Sequence, residues 1–281
     1  SVIAHHRVPA VVEAASDYVP LIVISADRPA EKIESGANQT IRQHKFFGDY
    51  ARWSFELPSP TEEIDPEVVL TTVDHLIHQA ISAPGGPVHL NCHFREPLAP
   101  VSREISPGYS GKLHRWELAK KPYTTYTPAI KTLSESDRNQ LVNQLDNTQQ
   151  GLLVAGRLKT PQDVQAVRKL SEHLKWPVFA DILSGLRLGF QQKNLIPYFD
   201  LMLLAEELHP KLRPETVVHI GEQPASKRYL QFIENVSPAE YILIAAHSYR
   251  SDPVHRVTRR LSLDIPAACD ELISEAVPTV S

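Results

Sequence analysis

Short apolar runs that alternate with helical segments restrict the fold of this chain more than any other feature. Each run is too short for a helix, is rich in aliphatic residues and lies next to turn residues, so it predicts a buried strand. The six runs are residues 20–25, 87–92, 151–156, 177–182, 216–221 and 241–246. Because strands that alternate with helices usually pair in parallel through crossover connections, the pattern predicts an α/β fold with parallel sheets.

Local start signals predict the helices between these strands. Asp65 and Pro66 begin one helix, and apolar residues then repeat at helical spacing as far as Ile81. Thr160 and Asp163 frame the start of a second helix over 161–174, in the manner of a capping box. A third helix is predicted near 134–145.

The length of the chain predicts two domains, because 281 residues is about twice a typical domain. Residues 95–129 are rich in proline and lack sustained periodicity, so they predict a connection between the domains. Helix-like apolar spacing is already under way at Val8, Val11 and Val12, without an initiator Met. We therefore expect the sequence to be a truncated part of a longer protein.

Charge and cysteine content exclude several classes of partner. The formal net charge of -4 gives no general basic field for nucleic acid or an anionic membrane. No apolar stretch approaches the roughly 20 residues that span a bilayer. Cys92 and Cys269 lie far apart without a C-x-x-C pattern, which is typical of neither a disulfide framework nor a cysteine zinc site. We expect a cytoplasmic protein without a nucleic-acid or membrane partner.

Arg28 is the first candidate for a binding residue. It follows the end of the first predicted strand by three residues, and ligand crevices of open α/β sheets form beyond the carboxyl ends of strands. A guanidinium there could bind a carboxylate or phosphate through two hydrogen bonds. Surface pairing with Asp27 or Glu31 is the alternative, and the spacing leaves both open.

Two amides follow in the same loop. Gly36 permits a tight turn just before Asn38 and Gln39, whose side chains could donate to a hydroxyl or carboxylate. Amides in loops also commonly cap turns. The sequence alone does not choose between these roles.

Lys227 and Arg228 form a second cationic point, near the start of the helix that follows the strand ending at Gly221. Helix amino ends attract anions, and adjacent cations strengthen that attraction. A solvated surface is the alternative. Neither this segment nor the one after residue 151 has the G-x-G-x-x-G pattern, so a dinucleotide fingerprint is missing.

Other catalytic and metal patterns are weak. His75 and His78 share one predicted helix face, but no carboxylate or cysteine cluster accompanies them, so we predict no metal ligand. The sequence has no G-x-S-x-G, no P-loop and no evident setting for a catalytic cysteine. We therefore predict no catalytic residue in this chain.

Six motifs in fixed order resemble one known family. These are ADRP at 26–29, GANQTIRQ at 36–43, VHLNCHFREPL at 88–98, WPVFADILSG at 176–185, SKRYLQF at 226–232 and DPVHRVTRRL at 252–261. Together they resemble the thiamine-diphosphate-dependent family of 2-succinyl-5-enolpyruvyl-6-hydroxy-3-cyclohexene-1-carboxylate (SEPHCHC) synthases, transferases of menaquinone and phylloquinone biosynthesis. The resemblance covers nearly the whole chain from Pro9 onward.

The resemblance implies two parallel-sheet, three-layer domains of the thiamine-diphosphate enzyme type. Residues 1–96 would be the carboxyl-terminal part of a pyrimidine-binding domain, 97–124 a linker, and 125–281 a central Rossmann-like domain. The family reaction decarboxylates 2-oxoglutarate and adds the succinyl unit to isochorismate. By the match of motifs, Arg28, Asn38 and Gln39 would bind isochorismate. Lys227 and Arg228 would reach toward substrate carboxylates.

The sequence also differs from the full-length family, and each difference leads to an expectation. The residues that bind thiamine diphosphate and Mg²⁺ in the full-length family are expected to be absent from this chain, which should be inactive by itself. His93 stands where the family usually has proline, a change expected to affect only packing. Full-length members are homo-oligomers, dimeric or tetrameric.

Two other hypotheses remain open. The chain could be a noncatalytic nucleotide- or ligand-binding regulatory α/β module. Alternatively, the missing pyrophosphate-binding domain could be supplied by another polypeptide.

Overall fold

A computed structural model describes residues 7–99, 102, 104–189 and 192–273. The chain divides into two compact units, with the division between Pro128 and Ala129. The domain limits given above, at 1–96 and 125–281, stay a prediction. Residues 97–124, expected to be a linker, include two short helices, Pro107–Gly111 and His114–Ala119.

The first unit contains a three-stranded parallel sheet. Its elements in chain order are α1 (Val8–Ser16), β1 (Leu21–Asp27), β2 (Trp53–Leu57), α2 (Glu67–Ile81), β3 (Pro87–His93), α3 (Pro107–Gly111) and α4 (His114–Ala119), with short 3₁₀ turns at Ala30–Lys32 and Gly48–Tyr50. The strand order is β1-β3-β2, with β3 in the centre. The register pairs Asp27 with His93 and Glu56 with Asn91, so the carboxyl ends of all three strands meet at one edge.

Helices cover parts of both faces of this sheet. On one face, Val88 and Leu90 of β3 pack against Leu76 and Ala80 of α2. On the other face, Val23 of β1 packs with Val11 and Phe47. Because β3 is covered on both faces, its backbone and side chains are almost wholly buried.

The second unit contains a six-stranded parallel sheet with the order β6-β5-β4-β7-β8-β9. Its elements are α5 (Glu135–Asn147), β4 (Gly151–Ala155), α6 (Pro161–Leu174), β5 (Val178–Ala180), β6 (Leu195–Ile196), α7 (Phe199–Met202), β7 (Thr216–Ile220), α8 (Lys227–Val236), β8 (Glu240–Ile244), β9 (Arg259–Leu261) and α9 (Ile265–Ile273), with a 3₁₀ helix at Glu206–Lys211.

The alternation of side chains along the central strands produces three layers. Leu153 and Ala155 of β4 face a cluster that includes residues of α5, α6 and α9, whereas Leu152 and Val154 face a cluster with residues of α7 and α8. Burial on both sides accounts for the near-continuous apolar runs that marked these strands in the sequence. The predicted parallel α/β class is confirmed.

Two local features explain where elements of the second unit begin. The helix Pro161–Leu174 has the predicted bounds, and Thr160 and Asp163 form a reciprocal capping box. At the start of β4, the indole ring of Trp176 lies directly over Gly151, so that a Cβ at this position would overlap the ring. Glycine is therefore required by this close approach.

No helix in the described part of the chain is long and apolar enough to cross a membrane.

Candidate functional site

Arg28 lies immediately after β1, and its backbone is fixed on both sides. Its N–H donates to Asp27 Oδ1 at 2.8 Å, and its carbonyl accepts from His93 Nδ1 at 2.5 Å. The side chain reaches Glu96 Oε1 at 3.0 Å, with the Arg28 and Glu96 side chains 27% and 64% exposed. Because an exposed ion pair contributes little net free energy, the guanidinium can exchange Glu96 for another carboxylate.

The partner of Arg28 differs from both carboxylates considered from the sequence. Asp27 binds the Arg28 backbone rather than its side chain, and Glu31 pairs with Arg95. Glu96, which is 68 residues further along the chain, takes their place.

Asn38 and Gln39 lie in an exposed turn of the same unit. Gly36 has φ +76°, as the proposed tight turn requires, and Gln39 itself has φ +60°. A non-glycine residue in this left-handed region is strained, and such strain is common at ligand-binding sites. Neither side-chain amide is hydrogen-bonded to another described residue, so both are open to a ligand.

A polar network that the sequence did not reveal lies beneath Arg28. Asn91 Nδ2 donates to Asp27 Oδ2 at 2.8 Å and to Glu56 Oε1 at 3.2 Å. The second Glu56 oxygen meets His93 Nε2 at 2.8 Å. Through these contacts the carboxyl ends of β1, β2 and β3 are tied together just below the backbone of Arg28.

The network continues to His89 on the inner part of β3. Ser25 Oγ donates to Asn91 Oδ1 at 2.7 Å, so it accepts the proton of His89 Nε2 at 2.8 Å. His89 Nε2 therefore carries a proton, while the buried Nδ1 has no hydrogen-bond partner among the described residues. Burial lowers the pKa of His89 below its usual value, which agrees with an uncharged ring.

Lys227 and Arg228 begin α8, as predicted. Ser226 is the N-cap and accepts the Tyr229 N–H at 3.0 Å, while its own hydroxyl donates to Asp200. Asp200 also binds Arg228 Nη1 at 2.6 Å. Lys227 is exposed and has no ion-pair partner in the part of the chain described.

The start of α8 borders an open cavity of about 340 Å³. Asp181, Arg187, Tyr198, Asp200 and Ser226 are among the residues that line it. The buried Asp181 accepts the Ala225 N–H at 2.9 Å and so fixes the approach to the helix. The guanidinium of Arg187 lies 5.2 Å from the centre of the Tyr198 ring. One cation, Arg187, and two carboxylates, Asp181 and Asp200, thus line the cavity, and the amino end of α8 borders it at Ser226.

A second, partly buried polar network lies at the carboxyl ends of β7 and β8. Glu222 contacts His247 Nε2 at 2.9 Å and Lys159 Nζ at 3.4 Å. Burial raises the pKa of Glu222, but the contacts with His247 and Lys159 outweigh it, and the pKa lies below the usual value. His219 contacts the Glu222 carbonyl at 3.1 Å and the Tyr241 hydroxyl at 2.9 Å.

His75 and His78, the pair considered as a metal site, surround an aromatic side chain. His75 Nδ1 contacts the Tyr126 hydroxyl at 2.9 Å, and the His78 ring stacks on the Tyr126 ring at 4.0 Å. Across the described ranges, no group of three or more His, Cys, Asp or Glu side chains is arranged to hold a metal ion.

The five predicted site residues are divided between the two units. Arg28, Asn38 and Gln39 belong to loops of the first unit, and Lys227 and Arg228 begin a helix of the second unit. The sequence did not reveal His93, Glu56 and Asp200, because their partners lie far away along the chain.

Curated proteins similar to this chain include synthases of one kind. The chain is 40% identical over 267 residues to a 2-succinyl-5-enolpyruvyl-6-hydroxy-3-cyclohexene-1-carboxylate synthase of Salinibacter ruber. The matched region covers 95% of the chain and 45% of the relative. A synthase of the same name from Rubrobacter xylanophilus is 40% identical over 264 residues, covering 94% and 45%. The chain thus spans about 45% of the length of these relatives.

A plant relative and a solved structure extend the comparison. The chloroplastic protein PHYLLO of Arabidopsis thaliana is 36% identical over 269 residues, covering 92% of the chain and 16% of the relative. An X-ray structure of a Mycobacterium smegmatis protein assigned to the thiamin diphosphate-dependent enzymes matches with a TM-score of 0.58 and 16% identity, covering 97% of this chain and 50% of the other. This second likeness shows the fold alone.

A family model described as the middle domain of thiamine pyrophosphate enzymes matches residues 108–277, which is more than half of the chain. The match includes the sheet of the second unit and the helix that carries Lys227 and Arg228. The chain therefore belongs to the thiamine pyrophosphate enzyme family, through its middle domain.

Proposed function

We propose that this chain supplies the substrate-carboxylate-binding parts of a SEPHCHC synthase. The observation that carries the proposal is the placement of cations at the carboxyl ends of parallel strands. Arg28 follows β1 with its backbone fixed, and Lys227 with Arg228 begins α8 beside an open cavity. The names of the relatives and the order of the six motifs support the same activity.

The proposed reaction joins two dicarboxylates. 2-Oxoglutarate loses CO₂, and its remaining four-carbon unit forms a carbon–carbon bond with isochorismate. Thiamine diphosphate, when bound, supplies the electron sink that decarboxylation of a 2-oxo acid requires. Fixed cations are needed because each substrate carries two negative charges that must be held in one orientation.

Each predicted site residue has a role in this proposal. Arg28 binds a carboxylate of isochorismate, and the amides of Asn38 and Gln39 donate to its oxygen atoms. Lys227 and Arg228 bind substrate carboxylates at the start of α8. Arg228 already binds the carboxylate of Asp200, which occupies it as a substrate carboxylate would.

Cofactor binding does not belong to this chain in the proposal. The chain spans about 45% of the length of its relatives, and the residues that bind thiamine diphosphate and Mg²⁺ are assigned to the rest of that length. A pathway to menaquinone or phylloquinone, a homo-oligomeric assembly and a cytoplasmic location complete the proposal.

The test is product formation from 2-oxoglutarate and isochorismate with thiamine diphosphate and Mg²⁺. The 281-residue chain is compared with the same sequence inside a polypeptide as long as its relatives. We expect turnover only from the longer polypeptide. Turnover by the 281-residue chain would contradict the assignment of cofactor binding to other regions.

The role of Arg28 is tested by Arg28→Ala in the longer polypeptide, with Arg95→Ala as the matched control. Loss of a charged hydrogen bond costs about 1.5–3 kcal/mol, so kcat/KM for isochorismate should fall about 10- to 150-fold. Arg95 forms an exposed pair with Glu31, and its replacement should have little effect. Equal effects of the two substitutions would contradict the role of Arg28.

The alternative function, a regulatory module, is tested by nucleotide binding. Binding of an adenine nucleotide by the 281-residue chain would favour that alternative over the proposed function.

A further inference from the structure

His93 is enclosed by hydrogen-bond acceptors. It is the last residue of β3, and its side chain is only 7% exposed. Nδ1 lies 2.5 Å from the carbonyl oxygen of Arg28, and Nε2 lies 2.8 Å from Glu56 Oε2. A carbonyl oxygen can only accept, so Nδ1 carries a proton.

The second nitrogen also carries a proton. Glu56 accepts from Asn91 Nδ2 through its other oxygen at 3.2 Å. A carboxylic acid is a stronger acid than an imidazolium, with ordinary pKa values of about 4.3 and 6.5, so a proton between Glu56 Oε2 and Nε2 rests on Nε2 and leaves the carboxylate ionised. A bare Nε2 beside that carboxylate would place two acceptors 2.8 Å apart. The arrangement is therefore an imidazolium with a donor on each side.

We propose that protonated His93 is a positioning residue for Arg28, because it ties the backbone at the start of the loop that carries Arg28, Asn38 and Gln39 to Glu56 of β2. The proposal rests on the proposed function of Arg28. A neutral imidazole has a single N–H and cannot donate to both acceptors. Loss of one proton therefore removes either the bond to the Arg28 carbonyl or the bond to Glu56.

The neighbouring contacts leave the position of the Arg28 carbonyl dependent on its hydrogen bond with His93. On one side, Asp27 accepts the Arg28 N–H at 2.8 Å, and the Asp27 carbonyl accepts the Phe94 N–H at 3.0 Å. Beyond Arg28 the loop continues through Pro29, which is buried and has no N–H to donate. Among the described residues, the contact with His93 therefore fixes the carbonyl of the peptide group between Arg28 and Pro29.

The groups that face His93 come from each neighbouring element. Glu56 belongs to β2, Asp27 to β1, and the neutral His89 to β3 itself. The exposed His44 lies 3.6 Å from the other oxygen of Glu56. Burial lowers the pKa of His93, but the Arg28 carbonyl, Glu56 and Asp27 together outweigh it, and the pKa lies above the usual value.

This arrangement replaces the expectation that His93 affects only packing. The proline that the family resemblance places here would have neither ring nitrogen. Control of Arg28 by a proton is therefore a property of this chain and not of every sequence that shares its motifs.

The first test uses the 281-residue chain with ¹³C-labelled histidine rings and ¹³C-labelled arginine carbonyls. We expect His93 to titrate above the ordinary histidine value of 6.5 and the Arg28 carbonyl resonance to shift over the same pH range. In Glu56→Gln the pKa of His93 should fall, and the carbonyl shift should follow it. A His93 titration that leaves the Arg28 carbonyl resonance unchanged would overturn the proposal.

The second test measures kinetics of the longer polypeptide as a function of pH. We expect KM for isochorismate to rise on the order of tenfold as pH passes above the pKa of His93, while kcat changes less. His93→Gln keeps one N–H for the carbonyl but cannot titrate, so it should retain a low KM and lose this pH dependence. A pH dependence that persists in His93→Gln would overturn the proposal.

The two tests separate this inference from the proposed function. If Arg28→Ala does not raise KM, the substrate role of Arg28 fails, whatever the behaviour of His93. If Arg28→Ala raises KM but the Arg28 carbonyl does not follow the His93 titration, the positioning role alone fails. His93→Pro provides an additional variant with no ring donor, in which the pH dependence should likewise be absent.

Discussion

His93 in the first unit and His219 in the second are both buried, and each donates to a backbone carbonyl. The acceptors are the carbonyl of Arg28 for His93 and that of Glu222 for His219. Their other nitrogens differ, because His93 meets the Glu56 carboxylate and His219 meets the Tyr241 hydroxyl. The two pKa values move in opposite directions, upward for His93 and down to about 4 for His219.

The comparison teaches that burial alone does not set the charge of a histidine. Burial lowers the pKa of both rings, and it is the largest influence on each. At His219 a hydroxyl can donate to the bare Nδ1, so a neutral ring satisfies both nitrogens. At His93 only acceptors are present, and the charged ring is the form that they stabilise.

The largest expected effect is acid destabilisation of the second unit through His219. Its folded pKa of about 4 lies below the ordinary 6.5, so the unfolded chain binds the proton first and stability falls as pH drops from 6.5 toward 4. At 1.36 kcal/mol per pH unit, the loss is about 3 kcal/mol. Hydrogen exchange of β7 and β8 measures it.

The matched variant for this prediction is His219→Gln, which cannot titrate. Glu222 has a lowered pKa and also loses stabilising charge in acid, but only below its usual value of 4.5. The interval from 6.5 to 4.5 therefore belongs to His219. If the stability of His219→Gln fell by the same amount between pH 6.5 and 4.5, His219 would not be the source of the acid destabilisation, and the contrast with His93 would fail.

The second effect is the loss of the charged partner of His93. Glu56→Gln should destabilise the first unit by about 1.5 kcal/mol near pH 6, the low end for a charged hydrogen bond because Glu56 is 29% exposed. In the wild type, the raised pKa means that the stabilisation is complete below 6.5 and is lost as pH rises through the folded pKa. Denaturant titrations at several pH values, followed by exchange of β2 and β3, should show this alkaline loss in the wild type but not in Glu56→Gln.

A third change removes the hydroxyl that keeps His219 neutral. Tyr241→Phe leaves Nδ1 without a donor and should destabilise the second unit by about 1 kcal/mol. Tyr198→Phe is the control, because Tyr198 is exposed on the surface. Equal urea midpoints for the two variants would show that the hydroxyl does not stabilise the neutral ring.

The smallest effect concerns His44, the exposed histidine near Glu56. Its side chain is 65% exposed and lies 3.6 Å from the carboxylate. Because an exposed pair contributes little, His44→Gln should change stability by about 0.5 kcal/mol or less and leave the titration of His93 in place. A large shift in the His93 titration would mean that Glu56 is shared equally between the two rings.

The elements that the sequence predicts well carry their signals locally. Thr160 and Asp163 lie three residues apart at the helix start that they define, and the predicted bounds of Pro161–Leu174 are confirmed. The strands Trp53–Leu57, Leu195–Ile196 and Arg259–Leu261 were not predicted. Leu195–Ile196 has only two residues, Arg259–Leu261 begins with two arginines, and Trp53–Leu57 contains the polar residues Ser54 and Glu56. Each is a strand because a neighbouring strand pairs with it.

The candidate site divides in the same way. The positions of Arg28 after a strand and of Lys227 at a helix start were predicted from nearby residues, although their roles stay predictions. The contact between His93 and Glu56 could not be predicted, because the two lie 37 residues apart. It depends on the pairing of Glu56 with Asn91 across β2 and β3, which no local pattern specifies.

The indole that lies over Gly151 gives the second unit its own fluorophore. The chain has tryptophans at 53, 116 and 176, and only Trp176 lies beyond Pro128. Its ring, in the segment between α6 and β5, is held against the start of β4, so separation of this segment from β4 would expose the ring to water and shift its emission to longer wavelength. With Trp53 and Trp116 replaced by Phe, light emitted by one side chain would follow the unfolding of the second unit alone.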